Sequence, residues 1–144
     1  MRILAIDPGA RRLGLAISDP SETIASPLGV IERSAWKADL QRLRKIVEDS
    51  AVGEIVVGRP LTMRGEVGAE AREAERFAAR LRAALSVPVV EVDERFSTVA
   101  AERAMRDAGS RAAQRRARRD AVAAALILQP YLDRRSRVDP LRGP

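Results

Sequence analysis

The chain has 144 residues, of which 46% are hydrophobic and 32% charged, with a formal net charge of +6. This size and composition predict one globular domain, since the chain is too short for two comfortable cores. It contains no cysteine and no histidine, which excludes disulfides, thiolate sites and histidine-dependent catalysis. Any enzymatic chemistry must therefore use carboxylates, with or without a metal.

Targeting signals are not evident in the sequence. The first residues reach an acid at Asp7, too early for the apolar core of a signal peptide, and no apolar run approaches membrane-spanning length. We therefore expect a cytoplasmic protein with no membrane partner.

The first half of the chain predicts three strands, a helix and a fourth strand. Apolar runs indicate strands at residues 3–6, 13–17 and 24–32, the third one kinked because Pro27 and Gly29 favour edges and bulges. Ser34 is a candidate N-cap for a helix that runs to about Asp49. Residues 54–58 form a short apolar run that is typical of a buried parallel strand.

The second half alternates helices and a strand. An amphipathic helix is predicted over residues 67–85 and a strand over residues 87–92, which ends in Asp93 and Glu94. Another helix should run from Ser97 or Thr98 to Ala108. A mobile basic segment, residues 111–119, then leads into a last helix, kinked at Pro130, and residues 135–144 form a polar tail.

This order of elements predicts one α/β domain over residues 1–134. The first three strands should form an antiparallel meander, and strands four and five should run parallel to strand one in a mixed five-stranded sheet with helices on both faces. Right-handed crossovers place strand four beside strand one and strand five beyond it.

The positive charge is concentrated in one stretch. Seven arginines and one acid lie between Arg103 and Arg119, so this segment carries the whole net charge of +6. A local basic patch on a neutral body is typical of a surface that binds a polyanion such as nucleic acid. The alternative is a solvated helix surface in a chain that uses arginine throughout.

Three acidic positions are predicted to meet at one edge of the sheet. Asp7 ends strand one and Asp93–Glu94 end strand five, so parallel strands bring them to the same carboxyl edge. Asp120 lies on the apolar stripe of the last helix, whose small residues allow a close approach to Asp7. Converging carboxylates repel one another unless a cation intervenes, and Mg²⁺ or Mn²⁺ is the natural choice for oxygen ligands.

A simpler interpretation assigns each acid a separate partner. Asp7 before Pro8 and Gly9 is suited to an Asx turn at the mouth of a hairpin. The acids could also be neutralised one by one by arginines: Asp7 by Arg11 or Arg12, Asp93 or Glu94 by Arg95, and Asp120 by Arg116. The metal interpretation suits phosphodiester hydrolysis, because a metal activates water without histidine.

Four motifs resemble the YqgF/RuvX family and occur in the family's order. They read IDPGARRLGLA from Ile6, VVGRPLTMRG from Val56, VDERFST from Val92 and DAVAAALILQ from Asp120. The resemblance implies an RNase H-like fold. It also implies a metal-dependent nuclease related to Holliday-junction resolvases, commonly assigned to maturing the 5′ end of the 16S rRNA precursor.

The resemblance also implies roles for individual residues. Asp7 and Asp120, with a second acid from Asp93 or Glu94, would be catalytic and would hold Mg²⁺ or Mn²⁺; both candidates for the second acid are kept. RuvC resolvases place that acid on strand four, where this chain has Gly58. The nucleic-acid contacts would come from eight arginines: Arg11, Arg12 and Arg95 near the scissile phosphate, and Arg111, Arg115, Arg116, Arg118 and Arg119 along the backbone.

The sequence leaves three questions open. The working substrate is either structured RNA or branched DNA, because a basic patch binds phosphates and does not distinguish ribose from deoxyribose. The protein is either a monomer or a homodimer. The rival to a nuclease is a nucleic-acid-binding or transcription-associated factor that keeps the fold and has little catalytic activity.

Overall fold

The computed structural model describes residues 1–60, 66–94 and 113–138. In chain order its elements are β1 (Arg2–Pro8), β2 (Arg12–Ser18), β3 (Ala25–Glu32), α1 (Trp36–Asp49), β4 (Val52–Pro60), α2 (Ala69–Ala84), β5 (Val89–Glu94) and α3 (Ala113–Val138). The helix predicted from residue 97 or 98 to Ala108 lies outside the described residues. None of the described helices is both long and apolar enough to span a bilayer.

The five strands form one mixed sheet in the order β3-β2-β1-β4-β5. β2 pairs antiparallel with β1 and β3, whereas β4 runs parallel to β1 and β5 runs parallel to β4. The predicted sheet and strand order are therefore confirmed.

The predicted irregularity of the third strand is a bulge. Leu15 pairs with Gly29 and Ala16 with Pro27, so Leu28 is an extra residue between two pairs. Gly29 has a φ of 153°, a backbone conformation that glycine adopts without steric cost. Pro27 has no N–H to donate, and its place on an edge strand avoids a lost ladder bond.

Two apolar layers cover the two faces of the sheet. Leu4 and Ile6 of β1 face α1 and α2, in a core that includes Leu43 and Leu81. The alternate residues of β1, Ile3 and Ala5, pack instead with Ala124, Leu128 and Leu132 of α3. Because side chains alternate along a strand, Asp7 belongs to the face that α3 covers.

The start of α1 differs from the prediction by one residue. The N-cap is Ala35, which makes no side-chain capping bond, and Ser34 precedes it. Ser34 donates its backbone N–H and its hydroxyl to the carboxylate of Asp39, which is buried. Asp39 reaches back from the helix to satisfy the entering chain, so the capping contact is made from inside the helix.

The last helix is longer than predicted at both ends. Residues 113–119, expected in a mobile segment, are helical, and the helix continues through Pro130 to Val138. Proline removes one helical hydrogen bond. Next to it, the side chain of Gln129 ties the helix to the start of β3 by accepting from the N–H of Ala25 and donating to the carbonyl of Thr23. Arg135, expected in the tail, forms an ion pair with Glu54 of β4.

The buried stripe of α3 provides a stability test. Leu128 is fully buried, whereas Leu126 is 39% exposed on the same helix. We expect Leu128→Ala to lower the free energy of unfolding by about 2–5 kcal/mol through lost burial and a residual cavity. Leu126→Ala should change it by less than about 1 kcal/mol. Urea unfolding measures both, and equal losses would contradict the described packing of α3.

Tyr131 provides a second test, because it is the chain's one tyrosine. Burial and a hydrogen bond to the Glu54 carboxylate raise the pKa of Tyr131 to about 12. A raised tyrosine pKa favours the protonated phenol in the folded state, so its contribution to stability is present below about pH 10 and is lost as pH rises towards 12. Absorbance of the phenolate should titrate near pH 12 in the folded protein and near pH 10 in urea.

Candidate active site

Asp7 lies at the carboxyl edge of the central strand and is only 7% exposed. It pairs with Gly14 of β2. The hairpin turn that follows is held by its own backbone, since the Gly9 N–H donates to the carbonyl of Arg12 at 2.9 Å. Arg33 adds a donor from outside the turn, 2.8 Å from the Gly9 carbonyl. Asp7 is therefore a buried carboxylate next to a rigid turn.

Gly14, the strand partner of Asp7, lies against the backbone of Asp120. A Cβ added at Gly14 would lie 2.2 Å from the carbonyl oxygen of Asp120 and 2.7 Å from its carbonyl carbon. No side chain fits in that space, so the backbone of α3 rests directly on β2 beside the residue that pairs with Asp7. Gly14 was not among the predicted site residues. Its signal was a glycine inside an apolar strand, which often marks the close approach of another backbone.

Arg12 binds the Asp120 carboxylate. Its Nε donates to Oδ2 of Asp120 at 2.8 Å, and the two side chains are 21% and 17% exposed. The sequence had suggested Arg116 as the arginine that neutralises Asp120. Arg12 lies at the start of β2, 108 positions away along the chain. The side chain of Arg116 is outside what the structure describes, so its contact with Asp120 stays a prediction.

Asp93 lies on the opposite face of the sheet from Asp7. Nε of Arg59 donates to Asp93 at 2.6 Å, and Nη1 of Arg59 donates to Glu75 of α2 at 2.7 Å. The hydrogen bond to Asp93, followed by the one to Glu75, raises the pKa of Arg59. Asp93 is half exposed. Its charge is thus matched by an arginine at the end of the neighbouring strand.

The residues around Asp93 show how β5 alternates. Val89 packs in the α1–α2 core and Val92 packs against the α3 cluster. Asp93 is four residues after Val89 and position 94 is two residues after Val92, so each member of a pair lies on the same face of the strand. Position 94 is therefore on the same face of the sheet as Asp7, by the pleat of the strand.

Six of the eight predicted arginines, and Glu94, differ in how far the structure describes them. Arg11 is exposed, and its carbonyl accepts the Arg33 N–H. Arg95 and Arg111 lie outside the described residues, and for Glu94, Arg115, Arg116 and Arg118 only the backbone is described.

Arg119 differs from its prediction. It is only 6% exposed, whereas an arginine that tracks a nucleic-acid backbone must reach solvent. The physical reason is its place on α3, one helical turn before the buried Ala123 and two before Ile127, on the stripe that packs against the sheet.

The donor set suits a hard divalent cation. Asp7 and Asp120 offer carboxylate oxygens from adjacent backbones, which is the chemistry that Mg²⁺ and Mn²⁺ prefer. Among the side chains that the structure describes, which leave out Glu94, no three acids are close enough to form a ready-made metal site. β4 lies between β1 and β5 in the sheet. The end of β5 is therefore two strand spacings, or about 10 Å, from β1. Gly58, with no side chain, lies between them on β4.

The sheet order, the helix across one face and the acids at the carboxyl edge define an RNase H-like domain of the RuvC type. RuvC of Thermus thermophilus in complex with a Holliday junction substrate superposes with a TM-score of 0.51 at 19% identity, covering 94% of this chain and 95% of that one. A second structure of the same organism's RuvC gives a TM-score of 0.50.

The family model described as "RuvX: Holliday junction resolvase" matches residues 1–134, and the chain belongs to this family. A Roseiflexus sp. protein named "Putative pre-16S rRNA nuclease" is 46% identical over 132 residues, covering 92% of this chain and 94% of its own length. Proteins of the same name from Chloroflexus aurantiacus and Mycobacteroides abscessus are 46% and 41% identical, covering 98% and 94% of this chain and 92% and 83% of their own lengths.

Gly14→Ala tests the close approach of α3. The added methyl group overlaps the backbone of Asp120, so the helix must shift, and we expect a loss of about 1–3 kcal/mol in the free energy of unfolding. Gly53→Ala is the matched control, because the atoms nearest its new Cβ belong to the flexible side chain of Met1. Chemical denaturation compares the two variants. A Gly14→Ala protein as stable as Gly53→Ala would show that α3 does not rest on β2.

Proposed function

We propose that this protein is a divalent-metal-dependent nuclease that cleaves phosphodiester bonds in structured RNA, acting in the cytoplasm at the 5′ end of the 16S rRNA precursor. The observation that carries the proposal is the pairing of a 7% exposed Asp7 with Gly14, the residue on which the backbone of Asp120 rests. A buried carboxylate next to a second acid offers the anionic oxygen ligands that a hard divalent cation prefers. The choice of the 16S rRNA precursor as substrate is based on the names of the relatives.

Asp7 and Asp120 are the proposed metal ligands, and the second acid of the family motif completes the set. A bound divalent ion would supply Lewis-acid stabilisation of the phosphate and a lower pKa for an attacking water. The chain itself contributes position. The Gly9 turn fixes the end of β1, and the contact at Gly14 fixes Asp120 on α3.

Glu94 is the better candidate for the second acid. Asp93 is engaged by Arg59 on the face that α2 covers, whereas the pleat of β5 places position 94 on the face of Asp7. In this arrangement Asp93 is a positioning residue: its ion pair with Arg59 ties the ends of β4 and β5 together and so sets the register of position 94.

The nucleic acid is proposed to lie along the carboxyl edge of the sheet. Arg11 is exposed in the turn directly after Asp7 and is placed to contact a neighbouring phosphate. The basic start of α3 would track the backbone, with Arg119 removed from that set because it is buried. Such contacts weaken steeply with salt because binding releases counterions.

A branched DNA substrate is the second candidate, favoured by the description of the family model and by the Holliday junction bound to the RuvC neighbour. The rival class is a binding factor with the same fold and little activity.

A cleavage assay with Mn²⁺ tests the proposal on two substrates, a precursor-like RNA with a 5′ extension and a four-way DNA junction. Asp7→Asn, Asp120→Asn and Glu94→Gln should each lower the rate at least about 100-fold, since each removes a charged ligand from the reacting phosphate. Asp93→Asn should retain substantially more activity than Glu94→Gln, because it changes only a positioning contact. Circular dichroism confirms that each variant is folded.

The outcomes separate the alternatives. If Asp7→Asn or Asp120→Asn cleaves the substrates as fast as the wild type, the catalytic assignment is refuted. Salt-dependent binding that survives in all variants, with no metal-dependent cleavage by the wild type, would identify the binding factor. Loss of activity in Asp93→Asn but not in Glu94→Gln would reverse the choice between the two acids.

A further inference from the structure

We propose that Arg12 is a positioning residue shared between Asp120 and the nucleic acid. Without metal and substrate, its guanidinium neutralises Asp120; when a nucleic acid binds, a phosphate draws the guanidinium away, and Asp120 becomes available to a divalent cation. Metal binding and nucleic-acid binding would then reinforce each other. This inference rests on the proposed function, because it assigns Asp120 to the metal.

The first support is the contact itself. Nε of Arg12 donates to Oδ2 of Asp120 at 2.8 Å, so one oxygen of the proposed metal ligand is already bonded to a cation. A divalent ion and a guanidinium on the same carboxylate repel each other. With both side chains about one-fifth exposed, that repulsion is screened less than it would be on an open surface.

The second support is the position of Arg12 in the chain. Its backbone is held at the start of β2, where its carbonyl accepts the Gly9 N–H and its Cα is paired with Glu32. The guanidinium can therefore change partner by side-chain rotation alone, without movement of the strand. Arg12 also follows the exposed Arg11 at the sheet edge where the phosphate is proposed to lie.

The third support is the chemistry of the two partners. A guanidinium binds carboxylates and phosphates with the same fork of N–H donors, so a phosphate can replace Asp120 with little change in geometry. An arginine used only as a tie between β2 and α3 would not need to lie at the edge where the acids meet, since the contact at Gly14 already joins these elements.

Two binding measurements, neither of which requires cleavage, test the inference. Isothermal titration of Mn²⁺ alone into wild type and Arg12→Gln should give about 3- to 10-fold tighter Mn²⁺ binding by the variant, because the competing charge is gone. Fluorescence anisotropy with a labelled RNA hairpin in EDTA should give about 3- to 10-fold weaker RNA binding by the same variant. The opposite signs distinguish this role, because a structural tie would weaken both.

Arg82→Gln is the matched control. It also removes one positive charge from an ion pair, the one with Glu91 at 3.1 Å on the other face of the sheet, and should change both affinities by less than about 2-fold. Arg12→Lys keeps the charge without the Nε donor, so its Mn²⁺ affinity should lie between those of wild type and Arg12→Gln. This variant also serves if Arg12→Gln is poorly folded by circular dichroism.

A double-mutant cycle tests the sharing directly. Asp120→Asn should tighten RNA binding in EDTA, because it releases Arg12 to the phosphate, and this gain should shrink in the Arg12→Gln background. Unchanged or weaker Mn²⁺ binding by Arg12→Gln, or equal gains in both backgrounds, would overturn the inference while leaving the nuclease proposal intact. Absence of cleavage by the wild type would overturn the nuclease proposal independently of these affinities.

Discussion

The close contact between the last helix and the second strand is the constraint on which the site depends. Gly14 has no side chain, and the backbone of Asp120 occupies the space where a Cβ would be. This lets α3 lie deeper on the sheet than side-chain packing alone allows. Gly14 is also the strand partner of Asp7, so the backbone of Asp120 lies against the residue that is paired with Asp7.

The rest of α3 is arranged to hold that contact in place. Leu128 and Leu132 bury the middle of the helix against β1 and β4. Further along, Gln129 bonds the backbone at Thr23 and Ala25, and Tyr131 and Arg135 both bond Glu54 at the amino end of β4. The helix is thus tied at the edge of the sheet away from the acids, while its other end carries Asp120. Open α/β sheets commonly place the binding site at the carboxyl edge, with its residues held by rigid elements.

Arginine takes the place that histidine or lysine holds in many active sites. The chain has no histidine, so proton transfer by imidazole is not available, and two of the described acids near the edge are paired with a guanidinium: Asp120 with Arg12 and Asp93 with Arg59. The two pairs lie on opposite faces. The Arg59 pair joins strand ends to α2 and is structural in character, whereas the Arg12 pair lies beside the buried Asp7. Arginine therefore pairs with an acid on each face of the sheet.

The sequence by itself determined the five strands, their order and the helices at residues 36–49 and 69–84, because these follow from local periodicity, turn residues and the handedness of crossovers. Four motifs were enough to indicate the family. The predicted start of α3 was wrong. The run of arginines, alanines and one glutamine before Asp120 was expected to be mobile because of its charge. The same run is compatible with a helix when one side of that helix is buried, and Arg119 is buried.

Only the tertiary structure decided which groups touch. The pairing of Arg12 with Asp120 and the contact of Gly14 with α3 depend on the depth and rotation of a helix against a strand about a hundred residues away. Such contacts leave no local periodicity in the sequence, since several arginines have the same charge and reach. The sequence limits the candidates for the second acid to two neighbouring residues, Asp93 and Glu94. That Arg59 binds both Asp93 and Glu75 depends on how the strands and α2 pack, so only the tertiary structure shows it.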